Sequence, residues 1–391
     1  MSLKYVFHWA EAFQGIPDSF RGFESLPVRQ SHREMLRSPP PWPQGGDLLL
    51  PMDIGGLSPD ECCSLKATRN NRMRWLALLA AAVLLAIAAA LPRPSQSEAL
   101  KLALGLWPGV ETLVVAREKG RLPKENVQLI AMTWPSAAMR AFGNGAVDAA
   151  VLTLDEVLRL REGGYDLRVM MVMDVSAGGD VVLGGADVRS PADLRGKRVG
   201  VDLRSSGRVL LQSALQSAGV SGRDVEMVPL NPSEVAAAMK ERRVDAVVLA
   251  EPWATRLRRT GGNEVFDSRQ LKWPMYRVLV ASSRAVRSQR TELQRVMAAH
   301  FEASTVFHSN FEDPALTTVL RREGVSLEEF KDCMTRVKLI DREAGAHLMA
   351  PKGALEAHSA ALEAWMCEVG LLEGRTLDSV WLDASLLEGL R

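Results

Sequence analysis

The chain has 391 residues, room for one large domain or two or three ordinary ones, and its 47% hydrophobic content can supply a core. Its 48 Lys and Arg balance 47 Asp and Glu, with no basic run or aromatic-interleaved basic patch, so no electrostatic case for nucleic acid exists.

Residues 1–72 contain Pro39-Pro40-Pro41-Trp42-Pro43, Gly45-Gly46 and Gly55-Gly56 and keep no helical or alternating period, so they are not expected to pack alone. They read either as a start-site artefact, with translation beginning at Met73, or as a disordered cytoplasmic extension. Next comes Arg69-Asn70-Asn71-Arg72-Met73-Arg74 and an unbroken apolar run from Trp75 to Leu91. A basic flank, an apolar core and the small residues Ala88 and Ala90 make 73–90 read as a secretory signal peptide. The alternative is an uncleaved transmembrane anchor, although the run is slightly short of the about 20 residues a spanning helix needs. No Cys follows it, which argues against a lipid anchor. Either reading places the remainder in the periplasm or another extracytoplasmic space, free or anchored to the inner membrane.

From residue 98 short apolar runs alternate with helical segments. Strands are expected at 100–106, 127–131, 147–152 and 167–173, with helices at 110–119, 136–142 and 155–161. Gly120 is expected to stop the first helix and Ser136 to cap the second. A second block follows, with strands at 181–183, 198–201, 225–230 and 244–249 and helices at 190–194, 209–218 and 234–242. Tyr276 to Ala281 reads as a strand returning to the first block, and 291–391 as chiefly helical. Strands and helices alternating at this spacing predict an α/β chain with mostly parallel sheets. The expected division is a first lobe of 98–182 plus 274–391 and a second of 183–273, with crossings near 181–185 and 267–276.

The four cysteines form no CxxC, and no His stands at metal-ligand spacing from them, so neither a metal site nor a cofactor is indicated. Cys62 and Cys63 precede the apolar run. Cys333 and Cys367 read either as a disulfide permitted by an oxidising compartment or as separate buried thiols. His300, His308, His347 and His358 suggest surface or packing roles, and no nucleophile–base pairing can be read from spacing.

Several segments carry a resemblance: Leu106-Trp107-Pro108-Gly109-Val110-Glu111, Ala116-Arg117-Glu118-Lys119-Gly120, Gly145-Ala146-Val147-Asp148-Ala149-Ala150, Asp193 to Val201 and Val244 to Pro252. In this order they resemble the solute-binding proteins for sulfonates, taurine, nitrate and thiamin precursors, the taurine/sulfonate/nitrate and Thi5-like (NMT1-like) group, over roughly 98–375. The resemblance implies a type II periplasmic-binding fold, two αβ lobes with a hinge and C-terminal helices. It also implies a monomer that captures a small-molecule solute and delivers it to an ABC permease and its ATPase. The Thi5-like group contains an enzyme of pyrimidine synthesis with a Cys-rich motif. No such cluster exists here, so a non-enzymatic role is expected. The alternatives are an enzyme on the same fold and a membrane-anchored ligand sensor.

Such a fold places ligands at the carboxyl ends of strands and the N-termini of helices. The candidate ligand-binding residues are therefore Trp107, Gly109, Ser136, Asp155, Asp174, Ser176, Asp180, Ser205, Ser206, Glu251 and Trp253. Trp107 offers a face for stacking, and Gly109 allows close backbone approach. Asp155, Asp174, Asp180 and Glu251 together count against an anionic ligand unless Arg204 and Arg208 offset them. The balance favours a neutral or amine-bearing, partly aromatic solute such as a pyrimidine.

Overall fold

The runs Ala149–Thr153 and Ala246–Ala250 hold no charged residue and are buried almost throughout, as strands covered on both faces must be. Each sits inside one of two sheets. The computed structural model describes residues 98–391 except 135, 310, 375–380 and 391, and seven positions between 75 and 83. The chain divides into two units, 1–91 and 92–391. In the first, residues 75–76, 78–81 and 83 are helical, with Trp75, Leu76, Leu78, Leu79 and Val83 exposed. The expectations for 1–72 and for the rest of 73–90 fall outside the described residues. Among the described residues no helix is long and apolar enough to cross a membrane.

In the second unit the first sheet contains β1 (Leu100–Leu104), β2 (Val127–Ala131), β3 (Ala149–Thr153) and β4 (Leu167–Ser176). Between them lie α1 (Glu111–Glu118), α2 (Ala137–Gly143) and α3 (Leu154–Glu162). Gly120 ends the first helical segment with φ +72°, a conformation glycine reaches without strain. The second sheet takes β5 (Asp180–Gly184), β6 (Arg198–Val201), β7 (Glu226–Pro229), β8 (Ala246–Ala250) and β9 (Asn263–Asp267). Its helices are α4 (Gly207–Ser217), α5 (Val235–Lys240) and α6 (Trp253–Arg259). The chain then returns through β10 (Met275–Ser282), two helices α7 (Ser283–Ser288) and α8 (Arg290–Ser309), then α9 (Leu316–Glu323) and α10 (Leu327–Met334). It finishes with β11 (Val337–Leu339), α11 (Arg342–Met349), α12 (Ala354–Glu368) and α13 (Ser385–Glu388).

The strand orders are β11-β4-β10-β3-β1-β2 and β7-β6-β8-β5-β9. Neither sheet is mostly parallel, which corrects the sequence expectation. β10 enters the first sheet antiparallel between β3 and β4, and β5 lies antiparallel to both β8 and β9. The cause is connectivity: a strand leaving one sheet for the other, or returning, starts from the opposite end to strands joined by helical crossovers. One apolar core packs on the first sheet, and two smaller ones lie on the second.

The chain passes between sheets at 177–179 and again at 268–274. These segments are stitched together. Ser176 Oγ and Ser268 Oγ lie 2.8 Å apart, the Asp180 N–H donates to Ser176 Oγ at 3.0 Å and the Gly178 N–H donates to Ser268 Oγ at 2.8 Å. Cys333 and Cys367 are free thiols, so no disulfide joins them.

Candidate functional site

A cavity of about 100 Å³ lies between the two sheets, and its walls come from the segments that end their strands. Residues after β1 supply Gly105, Leu106 and Trp107; the end of β3 and the start of α3 supply Thr153 and Glu156. The second sheet contributes Asp180, Asp202, Ser205, Ser206, Glu251 and Trp253, and Arg277 reaches in from β10. Strand ends meeting helix starts leave backbone polar groups and short side chains facing the gap, which is why such sheets bind ligands there.

Of the candidates read from sequence, the cavity wall brings together Trp107, Asp180, Ser205, Ser206, Glu251 and Trp253. Gly109 and Asp174 lie beneath it. The Trp107 indole N–H donates to Asp174 Oδ1 at 3.0 Å, and a Cβ on Gly109 would stand 2.2 Å from Asp174 Oδ2. Ser176 belongs to the stitched crossing. Ser136 precedes α2, but its side chain makes no capping bond, so the expected cap is corrected; its backbone N–H instead donates to Asp202 Oδ2 at 3.1 Å. Asp155 points to a separate small recess with Val209 and Trp273 and pairs with Arg159 at 3.1 Å.

The four acids counted against an anion are each engaged within the protein. Arg277 Nη2 donates to Asp180 Oδ1 and Oδ2 at 3.1 and 3.0 Å, and Arg277 Nη1 stands 4.0 Å from Asp174 Oδ1. Glu251, fully buried, accepts from Arg258 Nη1 at 2.5 Å and from the Thr255 N–H at 2.9 Å. With Asp155 held by Arg159, each of these four acids has a cation beside it; Glu156 and Asp202, which also line the cavity, have no ion pair among the described residues. Arg204 and Arg208 do not line the cavity; the cation that does is Arg277, absent from the sequence candidates. Its guanidinium carbon stacks 3.2 Å from the Trp107 ring centroid, and its buried Nη1 has no hydrogen-bond partner.

Burial pushes the Asp174 carboxyl up to about 7, against the opposing charge of Arg277 and the Trp107 bond. Glu156 was also missed from sequence. Burial and the neighbouring Asp155 charge push it up to about 8, while the Thr153 N–H bond at 3.0 Å and Arg159 act in the other direction. The spacing Thr153-x-x-Glu156 directly after a strand was the available signal, since a capping box fixes Glu at the first turn of the helix. His300 has a packing role: wholly buried, its Nδ1 sits 2.8 Å from Thr112 Oγ1, and burial lowers its pKa to about 4. Among the described residues no group of His, Cys, Asp and Glu could hold a metal ion.

The NMT1-like family model matches residues 93–319. The chain belongs to the NMT1-like family. A Haemophilus influenzae relative named for thiamine biosynthesis is 31% identical over 144 residues, 36% of this chain and 46% of that protein. An Escherichia coli relative named as an aliphatic sulfonates-binding protein is 26% identical over 200 residues, 49% of this chain and 62% of that protein. The chain therefore spans about half the length of the curated relatives it matches. An alkanesulfonate-binding protein from Xanthomonas axonopodis pv. citri, solved bound to MOPS, superposes with a TM-score of 0.63 at 19% identity. That superposition covers 74% of this NMT1-like chain and 99% of the other. The fold is the two-lobed, type II periplasmic-binding fold, with the cavity between its lobes.

Proposed function

We propose that this protein is the extracytoplasmic solute-binding component of an ABC importer, capturing one small organic solute between its lobes and passing it to a permease. The observation that carries this reading is the enclosed cavity at the strand ends, where Asp180 and Glu251 are paired within the protein and the buried Arg277 Nη1 has no hydrogen-bond partner. Such a wall suits a solute rich in acceptor atoms, and the names of the sulfonate-binding relatives support that class. The lobes follow the two sheets, so that β5 (Asp180–Gly184) belongs wholly to the second and the first boundary falls in 177–179 rather than at the 182/183 expected from sequence; they hinge at 177–179 and 268–274, where the chain crosses between sheets. The reading assigns no reaction. Two separate αβ lobes with a solute-sized gap need none to act as a capture device.

Export through 73–90 belongs to this proposal on sequence grounds, and N-terminal sequencing of the mature protein tests it. A mature terminus near residue 91 supports cleavage, one at Met73 would contradict it, and one upstream of Met73 would also contradict a translation start at Met73. The binding role is tested by a thermal-shift screen with alkanesulfonates, nitrate, pyrimidines and polyamines. A ligand that binds only the folded state raises the melting temperature by mass action. A shift with one class supports capture; no shift with any class contradicts it.

A further inference from the structure

Among the acids of the cavity wall, Glu156 stands apart. Asp180 has Arg277, Glu251 has Arg258, and Asp202 accepts N–H bonds from Ser136 at 3.1 Å and Arg204 at 3.0 Å. Glu156 is 5% exposed, lines the cavity, and accepts one backbone N–H through Oε2. Among the described residues no cation lies within ion-pair reach of it. Arg159, one turn along the same helix, is turned away: it pairs with Asp155 and donates to the carbonyls of Arg204 and Ser205 at 3.0 and 3.3 Å. A buried, unpaired carboxyl is expelled from its charged form by desolvation.

We propose that Glu156 meets the solute as a neutral carboxylic acid, donating its proton in a hydrogen bond to an acceptor atom of the solute. This rests on the reading of the cavity as the solute site and deepens it: Glu156 and Arg277 Nη1 form a donor pair, and capture is coupled to the proton on Glu156. The charged groups around Glu156 are of both signs. Its own helix offers Asp155, which opposes ionisation, and Arg159, which favours it. The facing loop presents Asp202, and across the cavity stand Asp180, Glu251 and Arg277. Of the helices packed on α3, α2 carries Arg140, and α12 carries Glu363, paired with Arg161, and His358, bonded to Tyr276.

The test has two parts. The first needs no ligand. A carboxyl raised in the folded state favours folding fully below its unfolded value near about 4.3, and that contribution is gone above the folded value. With Glu156 at about 8, the wild-type chain loses stability relative to Glu156→Gln between those limits. Melting curves should show a gap that widens from pH 4 to pH 8 and then levels; a constant gap overturns the proposal. Gln preserves the capping box, so this variant folds. The second part titrates ethanesulfonate, which carries no titratable group in this range. The wild-type Kd should weaken by about tenfold per pH unit above pH 8. Glu156→Gln should bind somewhat more weakly at pH 6.5 but hold its Kd constant to pH 9.5, and Glu156→Met should bind weakly throughout. A wild-type Kd independent of pH overturns the donor role. No binding of ethanesulfonate at any pH overturns the donor role toward a sulfonate, whereas the capture reading falls only if the wider thermal screen shows no shift with any class.

Discussion

Arg277 holds Asp180 from across the crossing between the two sheets: its Nη2 lies 3.0 and 3.1 Å from the two carboxylate oxygens of the first residue of β5. The same guanidinium stacks on Trp107 and lines the cavity, so the group that joins the lobes also faces the gap between them. The cavity wall and the lobe geometry are thereby linked through one side chain.

Removing that side chain strands two buried carboxyls. Arg277→Ala is predicted to cost about 3–5 kcal/mol, the scale for breaking a buried pair from one side. Arg277→Lys keeps the charge but loses the planar fork and the stack, so it should fall between the two. Urea denaturation of both variants measures this; an Arg277→Ala loss within the scatter of surface mutations contradicts the assignment.

Gly109 is required by space. A Cβ there would meet Asp174 Oδ2 at 2.2 Å and Trp107 Nε1 at 2.8 Å, both held by their mutual hydrogen bond and by burial. Gly109→Ala is expected to destabilise by about 1–3 kcal/mol through overpacking. It should also move Trp107, which its fluorescence spectrum would report.

Asp174 predicts a pH dependence of definite sign. Its folded value of about 7 exceeds the ordinary carboxyl value, so the folded state binds a proton that the unfolded state releases. The stability it contributes is complete below about pH 4 and disappears as pH rises through about 7, with a slope near 1.4 kcal/mol per unit. Asp174→Asn keeps an acceptor for the Trp107 N–H and cannot ionise. It should gain on wild type between pH 4 and pH 7 in thermal melts, and parallel curves would refute the shift.

Arg159 clasps the lobes at the cavity rim, reaching from α3 to the Arg204 and Ser205 carbonyls that open α4. Charge-assisted bonds of this kind contribute about 1.5–3 kcal/mol. Arg159→Ala should therefore release a bound solute roughly tenfold or more faster, with a smaller change in association rate. Stopped-flow displacement measures both; equal dissociation rates would show that this contact does not retain the solute.

Local patterns in the sequence mark most elements here because each β-strand is a short apolar run bounded by turn residues. The strand over 198–201 and that over 127–131 fall where the pattern places them. β9 escaped notice because Asn263 and Glu264 interrupt its apolar pattern, and β11 is only three residues long. The site was legible where it follows a strand directly, as at Trp107, Ser205 and Glu251. Arg277 was not, since it sits inside an apolar strand, and its partner Asp180 lies 97 residues away. Nothing local distinguishes a paired acid from a bare one, so a count of carboxylates does not show which of them Arg159, Arg258 and Arg277 hold.

The cavity between the sheets is the proposed solute site. The most direct test is calorimetric titration of the best ligand from the thermal screen into wild type and Ser206→Trp, whose new ring would fill space at the start of α4. One-to-one binding to wild type, lost by at least about a hundredfold in a variant that still melts cooperatively, is the predicted result. Undiminished binding to Ser206→Trp would place the solute elsewhere and contradict the account.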